Sequence, residues 1–275
     1  MQTFFVTGVS SGFGRALALA ALAAGHRVIG TLRKESDRAA FDALEPGRSF
    51  GVLLDVTDTA RVAPAVDAAE RDIGPIDVLV NNAGYGHEGT LEESPLEDLR
   101  RQFEVNVFGA VAVIKAVLPH MRARRAGRIV NITSMGGLTA FPGLSYYHGS
   151  KFALEGIGES LAREVAPFGI RVSNVEPGAF RTDWAGRSMV RAPRSIADYD
   201  EVFGPLRERR QANSGKQPGD PAKAAQAILK LAASDDPPVH LLLGEDALGF
   251  VREKIAALSR EIDAWEAVSR DTRHD

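Results

Sequence analysis

The sequence predicts a single α/β domain over residues 1–275, with a doubly wound, seven-stranded parallel sheet and helices on both faces. Short runs rich in Val, Ile and Leu alternate with helix-length segments from one end of the chain to the other, which is typical of repeated strand–helix–strand units. The apolar runs are continuous, as expected for parallel strands that are covered on both faces. No internal repeat or low-complexity linker divides the chain.

Each element follows from this alternation. The predicted strands are Thr3–Val6, Arg27–Leu32, Ser49–Leu54, Asp77–Val80, Arg128–Ile132, Ile170–Val175 and Val239–Leu243. The predicted helices include Arg15–Ala24, Asp58–Ile73, Leu96–Met121, Tyr146–Ala166 and Pro221–Ala233. Right-handed crossovers through such helices place successive strands side by side in one sheet.

Residues 183–219 interrupt the alternation. They contain no strand pattern, but they do contain scattered bulky apolar residues, among them Trp184, Met189, Tyr199 and Phe203. A long irregular insertion in a compact domain is usually a functional lid or a disordered stretch. The bulky apolar side chains favour a substrate-binding lid.

Composition excludes several classes of protein. With 33 Lys+Arg, 36 Asp+Glu and a net charge of −3, the chain lacks the basic surface typical of nucleic-acid binding. It has no Cys and no HExxH pair among its six His, so no metal site is expected. The longest apolar run, Ala16–Gly25, is shorter than the ~20 residues that span a bilayer. We therefore expect a cytoplasmic protein with no membrane span and no nucleic-acid partner.

A glycine-rich turn joins the first strand to the first helix. Glycines at this place permit a sharp turn and a close approach of the backbone to a pyrophosphate, which the positive end of the following helix attracts. The alternative is a turn with a structural role only. The strand–turn–helix context favours a Rossmann-type dinucleotide site. The turn residues expected to contact the dinucleotide are Gly8, Ser10, Ser11, Gly12, Phe13 and Gly14.

Tyr147 and Lys151 are four residues apart on a predicted helix, so they share one face, whereas Tyr146 is rotated about 100° from Tyr147. A tyrosine that acts as a base near pH 7 needs its pKa lowered from about 10, which requires about 4 kcal/mol. A lysine ammonium at ~4 Å in an effective dielectric of ~20 contributes about this much. We therefore assign proton transfer to Tyr147 and packing or pocket lining to Tyr146. The alternative is a surface Lys and a half-buried Tyr, which are common on any helix.

Two further polar residues, Ser134 and Asn106, occupy positions that indicate a function. Ser134 follows the fifth predicted strand, at the sheet edge where ligands bind in this architecture, and Thr133 should point to the other face. The alternative for Ser134 is a hydroxyl that caps the next turn. Asn106 lies inside an apolar helix, where an amide is costly unless it is hydrogen bonded. It is either a functional residue or a satisfied core asparagine.

The Gly-x-x-x-Gly-x-Gly turn, Asn81-Asn82-Ala83-Gly84 and Tyr147-x-x-x-Lys151 resemble the short-chain dehydrogenase/reductase family, over nearly the whole chain and in the family's order. The resemblance implies hydride transfer between a nicotinamide and a carbonyl or secondary alcohol. It implies that Tyr147 transfers the proton and that Lys151 lowers the pKa of Tyr147 and binds the nicotinamide ribose. It further implies that Ser134, at the usual separation of 13 residues from Tyr147, holds the substrate oxygen, and that Asn106 holds a water in a proton relay to Lys151.

The same resemblance implies the remaining cofactor contacts. Asp55 and Val56 should lie along the adenine. Asn82, Ala83 and Gly84 should pass beside the adenosine ribose, and Pro177, Gly178 and Thr182 should flank the nicotinamide. Two residues depart from the family pattern: Gly149 replaces a frequent Ala, and Glu176 precedes Pro177 where an uncharged residue is common.

The end of the second strand indicates which cofactor is bound. Family members specific for NAD place a carboxylate there, but this sequence has Leu32 followed by Arg33. Arg33 can bind a 2′-phosphate through two charge-assisted hydrogen bonds, which Lys34 or Ser10 can share. NADP(H) is therefore expected. NAD(H) is the alternative if Arg33 and Lys34 are only solvated loop charges.

Substrate class and rival functions rest on weaker signals. Thr31-Leu32-Arg33, Lys151–Gly156 and Pro167–Gly169 resemble the branch that acts on steroids, retinoids and similar bulky apolar alcohols. One rival is a nucleotide-binding, redox-sensing regulatory protein, although such a protein would be expected to lose Tyr147 or Lys151. The other is an epimerase or dehydratase on the same fold.

An apolar stripe marks the last predicted helix. Its members recur every three or four residues: Val251, Ile255, Leu258, Ile262, Trp265 and Val268. The stripe is too short to indicate a coiled coil, so docking on the body of the domain is expected, with a partner-subunit contact as the alternative. The family resemblance separately implies a homodimer or homotetramer built through the helices that hold Asn106 and Tyr147.

Overall fold

Nine strands form two sheets in a computed structural model of the chain, which describes residues 1–274. The strands are β1 (Thr3–Val6), β2 (Arg27–Leu32), β3 (Ser49–Leu53), β4 (Val78–Asn81), β5 (Gly86–Glu88), β6 (Gly127–Ile132), β7 (Ile170–Pro177), β8 (Met189–Arg191) and β9 (His240–Leu243). Seven of them form one parallel sheet in the order β3-β2-β1-β4-β6-β7-β9. The order reverses between β1 and β4, which creates a crevice at the carboxyl ends of the strands.

Helices cover both faces of this sheet. They are α1 (Gly12–Ala23), α2 (Glu35–Asp42), α3 (Thr59–Asp72), α4 (Leu96–Phe103), α5 (Ala110–Arg124), α6 (Ser145–Val165), α7 (Asp200–Ala212), α8 (Pro221–Ala233) and α9 (Glu245–Arg270). Leu17 of α1 and Ile228 of α8 belong to the core on one face. Val66 of α3, Val113 of α5 and Leu161 of α6 belong to the core on the other. The predicted fold class is confirmed, and all seven predicted strands are present within two residues of their predicted ends.

The segment 183–219 is more ordered than its sequence predicted. It contains strand β8 and helix α7, and β8 pairs in parallel with β5 to form a small second sheet. The expectation of an irregular segment is therefore wrong. Three-residue strands carry no periodic pattern, and α7 is rich in charge and contains Pro205, so the sequence signal for both elements is weak.

The C-terminal helix does not dock on the body as expected. Ala247 and Val251 are buried, but the apolar residues after them on α9 are exposed. Docking along the whole stripe is therefore wrong, because the helix leaves the body after its second turn. The partner-subunit alternative stays open.

One continuous helical segment, Leu96–Arg124, is long and apolar enough to cross a membrane by length and composition. It consists of α4, a π-helical stretch at Glu104–Gly109, and α5. Val113, Val117 and Met121 of α5 are fully buried against the sheet. The apolar character of this segment is thus that of a helix packed in the domain core.

Candidate active site

Most of the predicted site residues lie along one edge of the main sheet, because they follow the carboxyl ends of its parallel strands, whereas Asn106, Tyr147 and Lys151 lie on helical segments. Gly8 follows β1, Arg33 follows β2 and Asp55 follows β3. Asn82 follows β4 and Ser134 follows β6. The turn after β7 adds Gly178 and Thr182. The edge spans the point where the strand order reverses, the usual place for a ligand in a doubly wound fold.

Glycines in the turn after β1 leave a backbone cradle. Gly8 and Gly12 have φ values of +74° and +58°, which favour glycine. A Cβ on Gly14 would lie 2.5 Å from Asn82 Nδ2, so this position admits no side chain. Ser10 is exposed, and Ser11 and Phe13 are half-buried where α1 begins. The open cradle at the start of a helix fits the pyrophosphate of a dinucleotide.

Asn82 holds this turn from the neighbouring strand. Its Nδ2 donates to the carbonyl oxygens of Thr7 and Gly8, each at 2.9 Å. The backbone amides of Asn82 and Ala83 both donate to Thr7 Oγ1 at 2.9 Å. The Asn82 side chain therefore fixes the shape of the cradle, and only its backbone and that of Ala83 and Gly84 remain for a ribose.

The ends of β2 and β3 bring together the residues expected to bind adenosine. Arg33 has 79% of its side chain exposed, and its Nη1 lies 4.0 Å from Asp55 Oδ2. Leu32 and Val56 are buried in the two cores. The charged group that reaches this end of the crevice from β2 is thus the Arg33 guanidinium.

Tyr147 and Lys151 share one face of α6, close to Ser134. Lys151 Nζ lies 5.8 Å from the centroid of the Tyr147 ring and donates to the Ile132 carbonyl oxygen at 2.8 Å. The Ser134 hydroxyl lies close enough to the Tyr147 hydroxyl to influence its pKa. Ser134 Oγ also accepts a hydrogen bond from the Gly136 amide at 3.0 Å. The same hydroxyl therefore caps the turn that follows β6, as the alternative for Ser134 predicted. The three polar groups thus lie together at the end of β6.

Burial dominates the titration of this centre. It raises the pKa of Tyr147 to about 12, which is opposite to the lowering by Lys151 that the sequence predicted, and the nearby Ser134 hydroxyl opposes that rise. It lowers the pKa of Lys151 to about 8, and the nearby Glu155 carboxylate opposes that fall. At pH 7 Tyr147 therefore carries its proton and Lys151 is mainly an ammonium ion.

Asn106 lies in the π-helical stretch between α4 and α5 and is buried. Its Oδ1 accepts from the Tyr85 amide, and its Nδ2 donates to the Tyr85 carbonyl oxygen, both at 3.1 Å. Nδ2 also donates to Ser150 Oγ at 3.0 Å, and Ser150 Oγ donates to the Tyr147 carbonyl oxygen at 2.7 Å. Asn106 thus reaches α6 through Ser150, and it makes no hydrogen bond to Lys151 among the described residues. A Cβ on Gly84 would lie 3.0 Å from Asn106 Oδ1 and 3.8 Å from Lys151 Nζ, so the backbone of Gly84 closes the space between them.

Tyr146 and His148, on either side of Tyr147, point elsewhere. The Tyr146 hydroxyl donates to the Ser94 carbonyl oxygen at 2.8 Å. His148 Nδ1 lies 2.7 Å from the Gly136 carbonyl oxygen, and His148 Nε2 accepts from the Phe141 amide at 2.9 Å. Tyr146 is therefore a packing residue, and His148 fixes the loop that follows Ser134.

A buried row of amides beneath the site was missed by sequence reasoning. Asn81 Nδ2 donates to Asn131 Oδ1, and Asn131 Nδ2 donates to Asn174 Oδ1, both at 3.0 Å. Asn174 Nδ2 then donates to Glu155 Oε2 at 2.6 Å. The row crosses β4, β6 and β7 and ends one turn after Lys151 on α6. In the sequence this row appears only as one Asn in each of three apolar strands. One Asn per strand is too sparse a pattern to interpret from a single sequence.

Glu176, which the sequence placed next to the expected nicotinamide contacts, is fully buried and contacts His240. Its Oε1 lies 2.8 Å from His240 Nδ1, and this nitrogen lies 3.6 Å from Glu155 Oε2. Burial, with the nearby Glu155 carboxylate, raises the pKa of Glu176 to about 9. Glu176 is therefore a neutral carboxylic acid at pH 7.

The sequence also contained no indication of a role for Asp246, which lies at the start of α9. Its Oδ2 accepts from the Ala179 amide at 2.7 Å, and the Gly178 amide donates to the Leu243 carbonyl oxygen at 2.8 Å. These bonds fix the turn after Pro177. Thr182 Oγ1 in the same turn accepts from the Trp184 amide at 3.3 Å.

Apolar side chains cover the Tyr147 ring. The Trp184 ring centroid lies 5.1 Å from that of Tyr147, and Met189, Leu144 and Phe141 complete the cluster. Trp184 and Met189 come from segment 183–219. Their packing leaves Tyr147 only 6% exposed.

Comparisons with known proteins agree with this geometry. A sequence model of the family described as "short chain dehydrogenase" matches residues 2–190. The chain is 40% identical over 269 residues to oxidoreductase BOA17 of Botryotinia fuckeliana, covering 98% of each chain. It is 39% identical over 245 residues to a 3-ketodihydrosphingosine reductase of Bacteroides thetaiotaomicron, covering 88% of each. It is 36% identical over 213 residues to an NADPH-dependent 3-dehydrocapnine reductase of Ornithobacterium rhinotracheale, covering 75% of each.

Solved structures show the same fold. A short-chain dehydrogenase from Streptomyces avermitilis superposes with a TM-score of 0.92 at 43% identity, covering 99% of this chain and 100% of the other. ElxO with NADP bound has a TM-score of 0.76 at 26% identity, covering 90% and 99%. A short-chain dehydrogenase/reductase from Burkholderia phymatum in complex with NAD has a TM-score of 0.80 at 27% identity, covering 94% and 95%. The chain thus belongs to the short-chain dehydrogenase family, the oxidoreductases that use a nicotinamide cofactor.

Proposed function

We propose that this protein is an NADP(H)-dependent oxidoreductase that acts on a carbonyl or secondary alcohol carbon of an apolar substrate. The observation that carries the reaction is the close grouping of Tyr147, Ser134 and Lys151 at the end of β6. A bound nicotinamide supplies or accepts the hydride at its C4 carbon. Proton transfer to or from the substrate oxygen is the part of the reaction that falls to Tyr147.

Each residue of the site has a separate role in the proposed reaction. Ser134 donates a hydrogen bond to the substrate oxygen, which polarises a carbonyl or orients an alcohol. Lys151 binds the nicotinamide ribose and presents positive charge to Tyr147. Asn106 and Ser150 hold α6 in place, because Asn106 is hydrogen bonded both to the Tyr85 backbone and to Ser150. A protonated Tyr147 at pH 7 is the form that donates a proton, so the resting state suits carbonyl reduction.

Arg33 supports NADP(H) as the cofactor. It is the exposed cation at the end of β2, beside Asp55. A guanidinium pairs well with a phosphate, and each charged hydrogen bond contributes about 1.5–3 kcal/mol. The relative named as NADPH-dependent points the same way, whereas the structural neighbour that holds NAD leaves NAD(H) as the second candidate.

Trp184, Met189, Leu144 and Phe141 support an apolar substrate, because they surround the Tyr147 ring. Two relatives are named as reductases, of 3-ketodihydrosphingosine and of 3-dehydrocapnine. Segment 183–219 acts as the lid in this proposal. Trp184 has to move away from Tyr147 for a substrate to reach the hydroxyl.

The experiment is a screen of cofactor absorbance with NADPH over matched ketones that differ in polarity, such as long-chain alkyl ketones and short keto acids. Turnover of the alkyl ketones with little turnover of the keto acids is expected. Tight NADPH binding with no turnover of any carbonyl would instead favour a redox-sensing regulatory protein. Product formation without net NADPH consumption would favour an epimerase or dehydratase.

The proposal includes a homodimer or homotetramer in the cytoplasm. Phe108 in the π-helical stretch and Phe152 on α6 are 53% and 44% exposed, on the helices that the family resemblance assigns to subunit contact. Light scattering at micromolar concentration should give a mass of at least two chains. A monomer would contradict this part of the proposal, and a membrane-bound fraction would contradict the location.

A further inference from the structure

The second half of α9 has no partner within the described chain. Val251 is the last buried residue of the helix, and from Arg252 to Arg270 every residue is exposed except the half-buried Ala257. Helices in proteins gain most of their stability from packing one apolar face. An apolar face on this exposed stretch therefore indicates a surface that another molecule covers.

The apolar residues of this stretch follow a heptad spacing. From Val251 to Trp265, through Ile255, Leu258 and Ile262, the intervals are four, three, four and three residues. This spacing keeps the side chains on one seam that faces a second helix. Ile255, Leu258, Ile262 and Trp265 are 63%, 46%, 59% and 65% exposed, so four successive positions of the seam are open.

The charges on the helix disfavour a membrane surface as the occupant. Between Arg252 and Arg270 the helix carries four acidic and four basic residues, so the exposed stretch has no net positive charge. Helices that lie on anionic bilayers carry Lys and Arg on their polar face. A second helix of matching spacing and charge fits this surface better.

We propose that two copies of this chain pair through α9 in antiparallel orientation. In this register Ile255 faces the partner's Trp265, and Leu258 faces the partner's Ile262. The two-fold axis then passes near residue 260, in the middle of the exposed stretch. The pairing is separate from any contact through α5 and α6.

The flanking charges select the antiparallel orientation. A parallel pair would place Glu261 beside the partner's Glu266 twice, and these like charges repel. The antiparallel pair places Arg252 beside the partner's Glu266 twice. Its one like-charge contact is between the two copies of Glu261, at the axis.

The interface between the two α9 helices is small. Ile255 and Trp265 are ten residues apart, so the open seam is about 15 Å long. An interface of this length is smaller than the standard size of stable complexes. It therefore adds to another contact between the bodies, or it forms a weak dimer when it acts alone.

Chemical cross-linking tests the proposal directly, because the chain has no Cys. In the antiparallel register Ser259 lies opposite the partner's Ser259, whereas Arg260 faces outward on both copies. A short bismaleimide should cross-link Ser259→Cys at least about tenfold more than Arg260→Cys, at equal thiol labelling. No cross-link at Ser259→Cys, or an equal yield from both variants, would overturn the proposal.

A charged residue placed in the seam is the second test of the proposed pairing. Leu258→Glu, added to Ser259→Cys, should abolish the cross-link, whereas Ala256→Glu on the outward face should leave it unchanged. Helical circular dichroism confirms that both variants are folded. An undiminished cross-link with Leu258→Glu would overturn the proposal. Binding to phosphatidylserine vesicles that Leu258→Glu abolishes, without any cross-link, would assign the seam to a bilayer and also overturn it.

Discussion

Arg33 Nη1 lies 4.0 Å from Asp55 Oδ2, across the carboxyl ends of β2 and β3. Both residues are expected cofactor ligands, and the fold brings them together although 22 positions separate them in sequence. The pair is exposed to solvent, so it contributes little to stability. Arg33 is therefore free to exchange Asp55 for a 2′-phosphate at small cost.

Replacing Arg33 tests the choice of cofactor. Arg33→Ala should lower kcat/KM for NADPH at least about tenfold and leave kcat/KM for NADH within about twofold, because only the phosphate contact is lost. Arg71→Ala, an exposed arginine at the end of α3, is the matched control. Equal losses for the two cofactors would show that Arg33 does not bind the phosphate. Leu32→Asp is a poorer test, because Leu32 is only 4% exposed and a carboxylate there would be buried in the core.

A buried carboxylate fastens the 183–219 segment to the body. Glu88 of β5 is fully buried and pairs with Arg191 Nε of β8 at 2.8 Å and with Arg210 Nη1 of α7 at 3.1 Å. Glu88→Gln leaves two guanidinium groups facing a neutral amide. It should lower the free energy of unfolding by about 2–4 kcal/mol and raise KM for the substrate.

Urea denaturation and steady-state kinetics measure these two effects. Glu92→Gln is the control, because Glu92 is exposed and accepts a hydrogen bond from the Tyr199 hydroxyl at 2.8 Å. If Glu88→Gln matched the control in both measurements, the pairing with Arg191 and Arg210 would not be what holds this segment.

The raised pKa of Glu176 predicts that stability falls with pH. The folded protein holds the Glu176 proton up to about pH 9, whereas the unfolded chain releases it near 4.5. The folded state thus binds more protons between these values, so the free energy of unfolding decreases as pH rises through this window. His240, Glu155 and Glu159 are the charged or titratable groups that surround it.

Glu176→Gln keeps the shape of the neutral acid and cannot ionise. It should raise the free energy of unfolding by about 1–4 kcal/mol at pH 8 and flatten the dependence between pH 5 and 9. Urea titrations across this range measure it, with Glu164→Gln as control, because Glu164 is an exposed glutamate of α6 outside this cluster. An unchanged slope in Glu176→Gln would contradict the assignment of the proton.

The sequence predicted the sheet well because its strands are continuous apolar runs, and it predicted that Tyr147 and Lys151 lie close together because they are four residues apart on one helix. Both signals are local. Features that depend on distant contacts were missed: β5 pairs with β8 a hundred residues away, and the amide row joins three strands. The exposed α9 stripe had the period of a packed helix, but a period does not say whether the covering surface belongs to the same chain.

The most direct test of the account is turnover by Tyr147→Phe beside Tyr146→Phe, with NADPH and the best ketone of the screen. Tyr147→Phe should lose turnover by about 10²-fold or more and bind NADPH within a few-fold of the unmutated protein, because only the proton-transfer hydroxyl is removed. Tyr146→Phe loses the bond to the Ser94 carbonyl oxygen and should keep most of its turnover. Substantial activity in Tyr147→Phe with loss in Tyr146→Phe would contradict the assignment of Tyr147 as the proton-transfer group.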